Sequence, residues 1–336
     1  MPDRTNRQFR LAARPAGLPK PTDWELTTES VPAPREGEVL IQVLYVSIDP
    51  AMRHWMNEGR SYTEPVQIGD VMRAGTVGCV IESRNRNFRV GDCVVGGQGV
   101  QLFAISSGRG LRKVDPALAP LPAYLGGLGV TGLTAFFGLL EVGRARAGDT
   151  VVVSAAAGAV GSVVGQLAKI GGARAVGIAG GRDKCAYLLD IGFDAAIDYK
   201  SENVEQALDE HCPHGIDVYF DNVGGDILDS ALAQLARGAR VVLCGAISQY
   251  NLTTAVRGPT NYLSLLFSRA RMEGFVTSDY KERYEAAIQK LARWRAEGRL
   301  QLREDIVDGL EAFPETLLRL FRGENTGKLM LKVAEV

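Results

Sequence analysis

The sequence predicts a two-part α/β chain, with a β-rich, barrel-like domain first and a doubly wound parallel sheet after it. Three observations carry this. At 336 residues the chain exceeds what one ordinary core supports. Its character changes near residue 128, from short β-rich runs between turn residues to a rhythm of strand, glycine turn, helix and strand. One of those turns, after residue 155, spaces its glycines as a close backbone approach requires.

In the first part, "EVLIQVLYVSI" (38–48), "AGTVGCVIES" (74–83) and "VGDCVVGG" (90–97) each set branched apolar residues between Gly, Asp and Asn, as antiparallel strands do. In the second part "TVVVSA" (150–155) reads as a buried strand, followed by a helix over "AGAVGSVVGQLAKIGG" that its glycines close. "ARAVGIA" (173–179) is a second strand, with a helix from about Arg182 to Leu189. "AAIDY" (195–199) and "IDVYFDNV" (216–223) are the third and fourth, "ARVVLCGAI" (239–247) the fifth, after a helix through Ala231 and Leu235, and "RMEGFV" (271–276) the sixth. Short apolar strands alternating with helices imply a parallel sheet covered on both faces, of the dinucleotide-binding kind. "GKLMLKVAEV" is a further strand outside this rhythm, with no local signal for its partner.

The most specific motif is the turn Ala156-Ala157-Gly158-Ala159-Val160-Gly161 between strand and helix, a G-x-G-x-x-G fingerprint with alanine at its first position. Gly158 admits the pyrophosphate to the backbone, Gly161 allows helix and strand to close, and the helix start offers N–H groups to phosphate. Gly165 reads as a helix-packing glycine. An NAD-preferring site places a carboxylate at the end of the second strand. Here that strand ends in Ala179-Gly180-Gly181, followed by Arg182, Asp183 and Lys184, so two cations stand where a 2′-phosphate would lie. Tyr199 can add a hydrogen bond, and NADPH is expected over NADH. The alternative for Arg182 and Lys184 is a solvated helix start.

Bulk properties exclude several classes. A formal net charge of -1 gives no electrostatic footprint for nucleic acid or an anionic membrane. No apolar run follows the N-terminal arginines, and the longest apolar candidate, 124–140, is broken by five glycines, so neither a signal peptide nor a membrane span is expected and the cytoplasm is the expected compartment. Cys79, Cys93, Cys185, Cys212 and Cys244 are dispersed, as in a reducing compartment. His211, Cys212 and His214 read as a helix end running into a turn at Pro213 and Gly215. No four-ligand zinc set can be assembled, so no metal is expected.

Over essentially its whole length the chain resembles the zinc-independent medium-chain dehydrogenases/reductases that include prostaglandin reductases, leukotriene dehydrogenases, alkenal double-bond reductases and curcumin reductase. The resemblance rests on "SIDPAMR" (47–53), "PVQIGDVMRAGTVG" (65–78), "GVTGLTAFFGLL" (129–140), "AAAGAVGSVVGQ", "DNVGG" (221–225), "CGAISQYN" (244–251), "RMEGFV" and "GENTGKLMLKV" (323–333). It implies a GroES-like β-barrel domain (1–127 with 307–336), completed by the C-terminal strand. A Rossmann NADP-binding domain (128–306) follows, with the cofactor in the cleft between the two. Ala157, Gly158, Ala159 and Val160 would line the pyrophosphate, and Gly180, Arg182, Lys184 and Tyr199 the 2′-phosphate end. Asn222, Cys244, Ser248 and Tyr250 would lie along the nicotinamide, with Phe275 and Asn325 also against the cofactor. Cys244 also reads as a small buried hydrophobe.

The implied reaction is NADPH-dependent reduction of an enone or enal, with charge building on the carbonyl oxygen as an enolate that a hydrogen-bond donor stabilises. Tyr62, Tyr250 and Tyr262 are the candidate donors, each with burial for packing as its alternative, and the cofactor ribose hydroxyl can share the role. Two departures matter: Ala51 and Phe267 stand where several relatives have tyrosine, which leaves the acid open and makes the pocket less polar. A quinone reductase, and a nucleotide-binding protein without turnover, are the competing readings. The family also implies a homodimer.

Overall fold

A computed structural model describes residues 4–335. They form two compact units, one from residues up to 125 together with those from 304 onward, the other from residues 126–303.

The first unit begins with an antiparallel hairpin, β1 (Thr5–Leu11) and β2 (Trp24–Ser30), registered from Thr5 opposite Ser30 to Leu11 opposite Trp24. Phe9 and Leu11 enter the core on one face, Arg10 between them stays partly exposed, and Gln8 is buried as well. β3 (Val39–Ser47) leads through the short α1 (Met52–Trp55) to β4 (Thr76–Ser83), β5 (Cys93–Gly96), β6 (Phe103–Ser106) and β7 (Arg112–Lys113).

The second unit carries α2 (Val130–Phe137), a π turn (Gly138–Val142), β8 (Thr150–Ser154), α3 (Gly161–Ile170), β9 (Arg174–Ala179), α4 (Arg182–Asp190) and β10 (Ala195–Asp198). α5 (Val204–His211), β11 (Ile216–Asp221), α6 (Gly225–Ala233), β12 (Leu235–Leu243), α7 (Ser264–Phe267), β13 (Arg271–Gly274) and α8 (Tyr284–Ala296) follow. The chain then returns to the first unit with β14 (Glu304–Asp308), α9 (Phe313–Phe321) and β15 (Lys328–Lys332).

The C-terminal strand thus finds its partners in the first unit. β15 runs antiparallel to β3, with Leu331 opposite Val46, and parallel to β14. The sheet runs β14-β15-β3-β4-β5-β7, with β6 also on β3. Its core gathers Val43, Val46, Leu329 and Leu331 from the strands and Phe313 and Leu317 from α9. The Phe313 ring lies 5.3 Å from Phe9 and 4.9 Å edge-on from Trp24, so it joins hairpin, helix and sheet. Burying such a ring stabilises by about 1.5–3 kcal/mol.

The second unit's sheet is parallel throughout, in the order β10-β9-β8-β11-β12-β13. Taken by chain position that is 3-2-1-4-5-6, the doubly wound order. Val151, Val152, Val153, Val176, Ile178, Val218 and Phe220 are fully buried, as strands covered on both faces must be. One expectation is corrected: Leu235 lies outside the helix. α6 ends at Ala233, and Leu235 opens β12 opposite Ile216, whose N–H donates to the Gln234 carbonyl. The spacing of Leu235 from Ala231 fits a helix turn, but sheet pairing wins.

Candidate active site

Strand order reverses between β8 and β11, so the helices leave on opposite faces there and a crevice opens at the strands' carboxyl ends. Ser154 ends β8 and Asp221 ends β11. The motif residues gather around this point in three groups.

The first is the glycine turn. Ala155 adopts a left-handed φ of 48°, which swings the chain out of β8, and the Ala156 N–H donates to the Ile178 carbonyl at 3.0 Å. The Gly158 N–H donates to the Ala155 carbonyl at 3.0 Å. A Cβ on Gly158 would stand 3.1 Å from that oxygen, and one on Gly161 would stand 2.5 Å from it and 2.7 Å from the Ala156 Cα. Gly161 therefore admits no side chain. Ala157 is buried, whereas Gly158, Ala159 and Val160 reach the surface ahead of α3. The Ser162 and Val163 N–H groups donate to the Gly158 and Val160 carbonyls, so the backbone of Ala159, Val160 and Gly161, at the positive end of the α3 dipole, is the part that fits a pyrophosphate. Gly165 faces the Phe193 ring, 1.8 Å from where a Cβ would sit, in keeping with helix packing.

The second group lies at the ends of β9 and β10. The Tyr199 ring covers Gly180 so closely that a Cβ there would stand 2.8 Å from the ring and hydroxyl. Gly181, at φ 101°, turns the chain into α4, whose first residues include exposed Arg182 and half-buried Lys184. Two cations and a phenol at the mouth of this turn suit a 2′-phosphate.

The third group rests on Asp221, 1% exposed. Its Oδ1 accepts from Ser154 Oγ at 3.0 Å, Tyr219 Oη at 3.1 Å and the Val223 and Gly224 N–H groups at 3.0 Å. Burial nevertheless raises its carboxyl above the ordinary range, against the pull of those amides. The Asn222 N–H donates to Ser154 Oγ at 2.8 Å and its Nδ2 to the Ser154 carbonyl at 2.7 Å, tying β11 to β8. The Asp221 carbonyl accepts the Cys244 and Gly245 N–H groups. Ser248 Oγ donates to the Val223 carbonyl at 2.6 Å, and Tyr250 Oη accepts the Ala246 N–H at 3.0 Å. Asn222, Cys244, Ser248 and Tyr250 are thus brought together at the carboxyl ends of β11 and β12. Burial, and then the Asp221 charge, pushes the Cys244 thiol up to about 12, so it remains protonated.

The remaining candidates stand on other elements. Phe275 packs against Gly138 beside Phe220. Tyr262 is 58% exposed, in a turn whose neighbours Thr260 and Asn261 donate to Asp229. Phe267 is 73% exposed. Tyr62 and Asn325 belong to the first unit. Tyr62 accepts from Trp55 Nε1 at 3.4 Å, and buried Asn325 donates to the Gly327 carbonyl at 3.0 Å. Ala51 precedes α1 there. Sequence reasoning missed Asp198 and the Ser154–Asp221 pair. Among the described residues no three His, Cys, Asp or Glu side chains are grouped to hold a metal, and no helix is long and apolar enough to cross a membrane.

A Rossmann sheet with its phosphate turn intact, carried with a GroES-like β unit, defines a nicotinamide-nucleotide oxidoreductase. Residues 7–114 match the family described as the N-terminal domain of oxidoreductase, and residues 159–293 the family described as zinc-binding dehydrogenase. The NADPH-dependent curcumin reductase of Escherichia coli (strain K12) is 41% identical over 98% of this chain and 97% of its own length. Prostaglandin reductase 1 of Oryctolagus cuniculus is 42% identical over 93% of this chain and 89% of its own. The crystal structure of CurA from Vibrio vulnificus in complex with NADPH superposes with a TM-score of 0.93 at 42% identity, covering 98% and 100% of the two chains. The chain belongs to the medium-chain dehydrogenase/reductase family, among its NADP-dependent oxidoreductases.

Proposed function

We propose that this protein reduces the activated carbon–carbon double bond of α,β-unsaturated ketones and aldehydes with NADPH. The observation that carries the reading is the row of Asn222, Cys244, Ser248 and Tyr250 at the switch point, beside a phosphate turn and a cationic helix start. Relatives of 41% and 42% identity named as curcumin and prostaglandin reductases support it.

Ala157, Gly158, Ala159 and Val160 would hold the pyrophosphate, Gly180, Arg182, Lys184 and Tyr199 the 2′-phosphate, and Asn222, Cys244, Ser248, Tyr250, Phe275 and Asn325 the nicotinamide half. When bound, the cofactor supplies a hydride for the β-carbon. A tyrosine hydroxyl, from Tyr62, Tyr250 or Tyr262, donates to the carbonyl oxygen as it gains negative charge and favours the transition state over the ground state. The α-carbon takes its proton from that tyrosine or from water. Cys244, protonated and half-buried, acts through packing rather than as a base.

NADPH consumption, followed by its absorbance with a panel of enones, enals and quinones and with NADH in parallel, tests this. Turnover of an enone with NADPH is the expected result. Turnover of quinones alone would replace the reading with quinone reduction. Binding of NADPH without turnover of any acceptor would make this a non-catalytic binding protein. Tyr→Phe at 62, 250 and 262 identifies the donor, whose loss lowers kcat by about 100-fold or more.

The protein is further proposed to act in the cytoplasm as a homodimer. β13 lies at one end of its sheet, and Leu263, Leu266 and Phe267 just before it are exposed. Light scattering should give twice the 36.2 kDa chain mass, and Phe267→Asp should give the monomer. A monomeric native chain would end that reading.

A further inference from the structure

We propose that Asp198 is a positioning residue that sets the preference for the 2′-phosphorylated cofactor, by fixing the turn that carries Arg182 and Lys184 against Tyr199. This rests on the reading of those three side chains as the 2′-phosphate site.

Asp198 is the last residue of β10. Its Oδ1 accepts the Gly181 N–H at 2.7 Å and the Lys200 N–H at 3.0 Å, and its Oδ2 accepts from Ser201 Oγ at 3.0 Å. Its carbonyl accepts the Ser201 and Glu202 N–H groups at 3.0 and 2.9 Å, while its own N–H donates to Glu202 Oε1 at 2.7 Å. One carboxylate therefore clamps two turns from successive βα units. Gly181 stands at φ 101° directly before Arg182, so the bond to its amide fixes the direction in which α4 starts. One residue beyond Asp198, Tyr199 donates its N–H to the Ala179 carbonyl at 3.1 Å and lays its ring over Gly180. The ring, the helix start and the carboxylate are thus one rigid assembly.

A carboxylate near a phosphate would ordinarily repel it. Here both oxygens are engaged by donors of the two turns. The Gly181 amide, the strongest influence, holds the group below the usual carboxylate range, so it stays ionised as an acceptor at neutral pH. Contacts to the extra phosphate are charge-assisted and fail within about 1 Å of displacement. NADH makes none of them. A loosened turn therefore penalises only the phosphorylated cofactor.

The experiment is titration calorimetry of the full chain with NADP⁺, NAD⁺ and adenosine 2′,5′-bisphosphate. Asp198→Ala should weaken NADP⁺ and the bisphosphate about tenfold or more and leave NAD⁺ within about twofold. Asp198→Asn keeps an acceptor oxygen for the two amides and should retain most of the NADP⁺ affinity. Gly181→Ala provides a second route should Asp198→Ala fold poorly. A Cβ there meets nothing within 4 Å, so only the backbone turn is perturbed, and the same selective loss is expected. Equal losses for NADP⁺ and NAD⁺, or no loss, would overturn the proposal. Tighter NADP⁺ binding in both Asp198 variants would also overturn it, by showing that the carboxylate acts through repulsion. Lys184→Ala in the otherwise native chain tests the underlying site separately. If it leaves NADP⁺ affinity unchanged, the phosphate reading fails whatever Asp198 does.

Discussion

Gly161→Ala places a methyl group where the backbone has already closed. The added Cβ would stand 2.5 Å from the Ala155 carbonyl oxygen, against 3.4 Å for ordinary contact, and 2.7 Å from the Ala156 Cα. Neither atom can turn aside as a flexible side chain would, so α3 must retreat by about 0.9 Å from the turn. Overpacking of this kind costs about 1–3 kcal/mol of stability. The same retreat draws the Val160 and Gly161 N–H groups away from the pyrophosphate, and each bond to a charged oxygen is worth about 1.5–3 kcal/mol. One to two such bonds lost give about 3 kcal/mol, or roughly 100-fold weaker cofactor binding. Gly165→Ala is the control, since its Cβ would strike the Phe193 ring at 1.8 Å rather than the turn. Calorimetric titration with NADP⁺ and thermal unfolding should therefore separate the two variants. Both lose Tm, and only Gly161→Ala loses affinity. If Gly161→Ala binds NADP⁺ like the native chain, or both variants lose affinity alike, the turn does not hold the pyrophosphate as argued.

Cys244, its thiol pushed up to about 12, is ionised in about one molecule in ten thousand at pH 8, so iodoacetamide should leave it unlabelled by mass spectrometry in the folded protein. Rapid labelling there would contradict its environment. Asp221→Leu strips the acceptor from Ser154, Tyr219 and two backbone amides and should cost about 3 kcal/mol or more in denaturant unfolding. Asp221 also predicts a pH dependence. Its folded carboxyl holds a proton that the unfolded chain releases above about pH 4, so its contribution is greatest in acid and is lost as pH rises through the folded value. Asp221→Asn should remove that downward slope across the mildly acidic range, and an unchanged slope would assign it to another group.

The second unit was largely legible because each strand is a short apolar run and each turn a glycine. Burial on both faces leaves little room for other residue types there. The first unit was less so. β1 and β2, "TNRQFRL" and "WELTTES", are rich in polar residues, and β14, "EDIVD", has too few apolar residues to stand out as a strand. β15 was visible as a strand, but its partner β3 lies hundreds of residues earlier, and no local pattern names it. In the candidate site, the places of Gly158, Gly161 and Lys184 just beyond strand ends were legible from their spacing. Asp198 was not, because its importance lies in reaching back 17 residues to Gly181, and the Ser154–Asp221 bond spans 67. Sequence patterns report a residue's neighbours in the chain, whereas these acids matter for their neighbours across the sheet.

The pairing of β15 with β3 also sets a timetable. Val46 leaves the ribosome 285 residues before its partner Leu331. At about 5–20 residues per second, tens of seconds pass with that stretch of strand edge open. The unit of residues 126–303 is contiguous, and its last residue is made 28 residues before Leu331, about 1.4–6 s ahead of it at that rate. Synthesis thus finishes the later-starting unit first and closes the earlier one last. Protease pulses on ribosome-bound chains should find residues 126–303 protected while β3 is still cleaved.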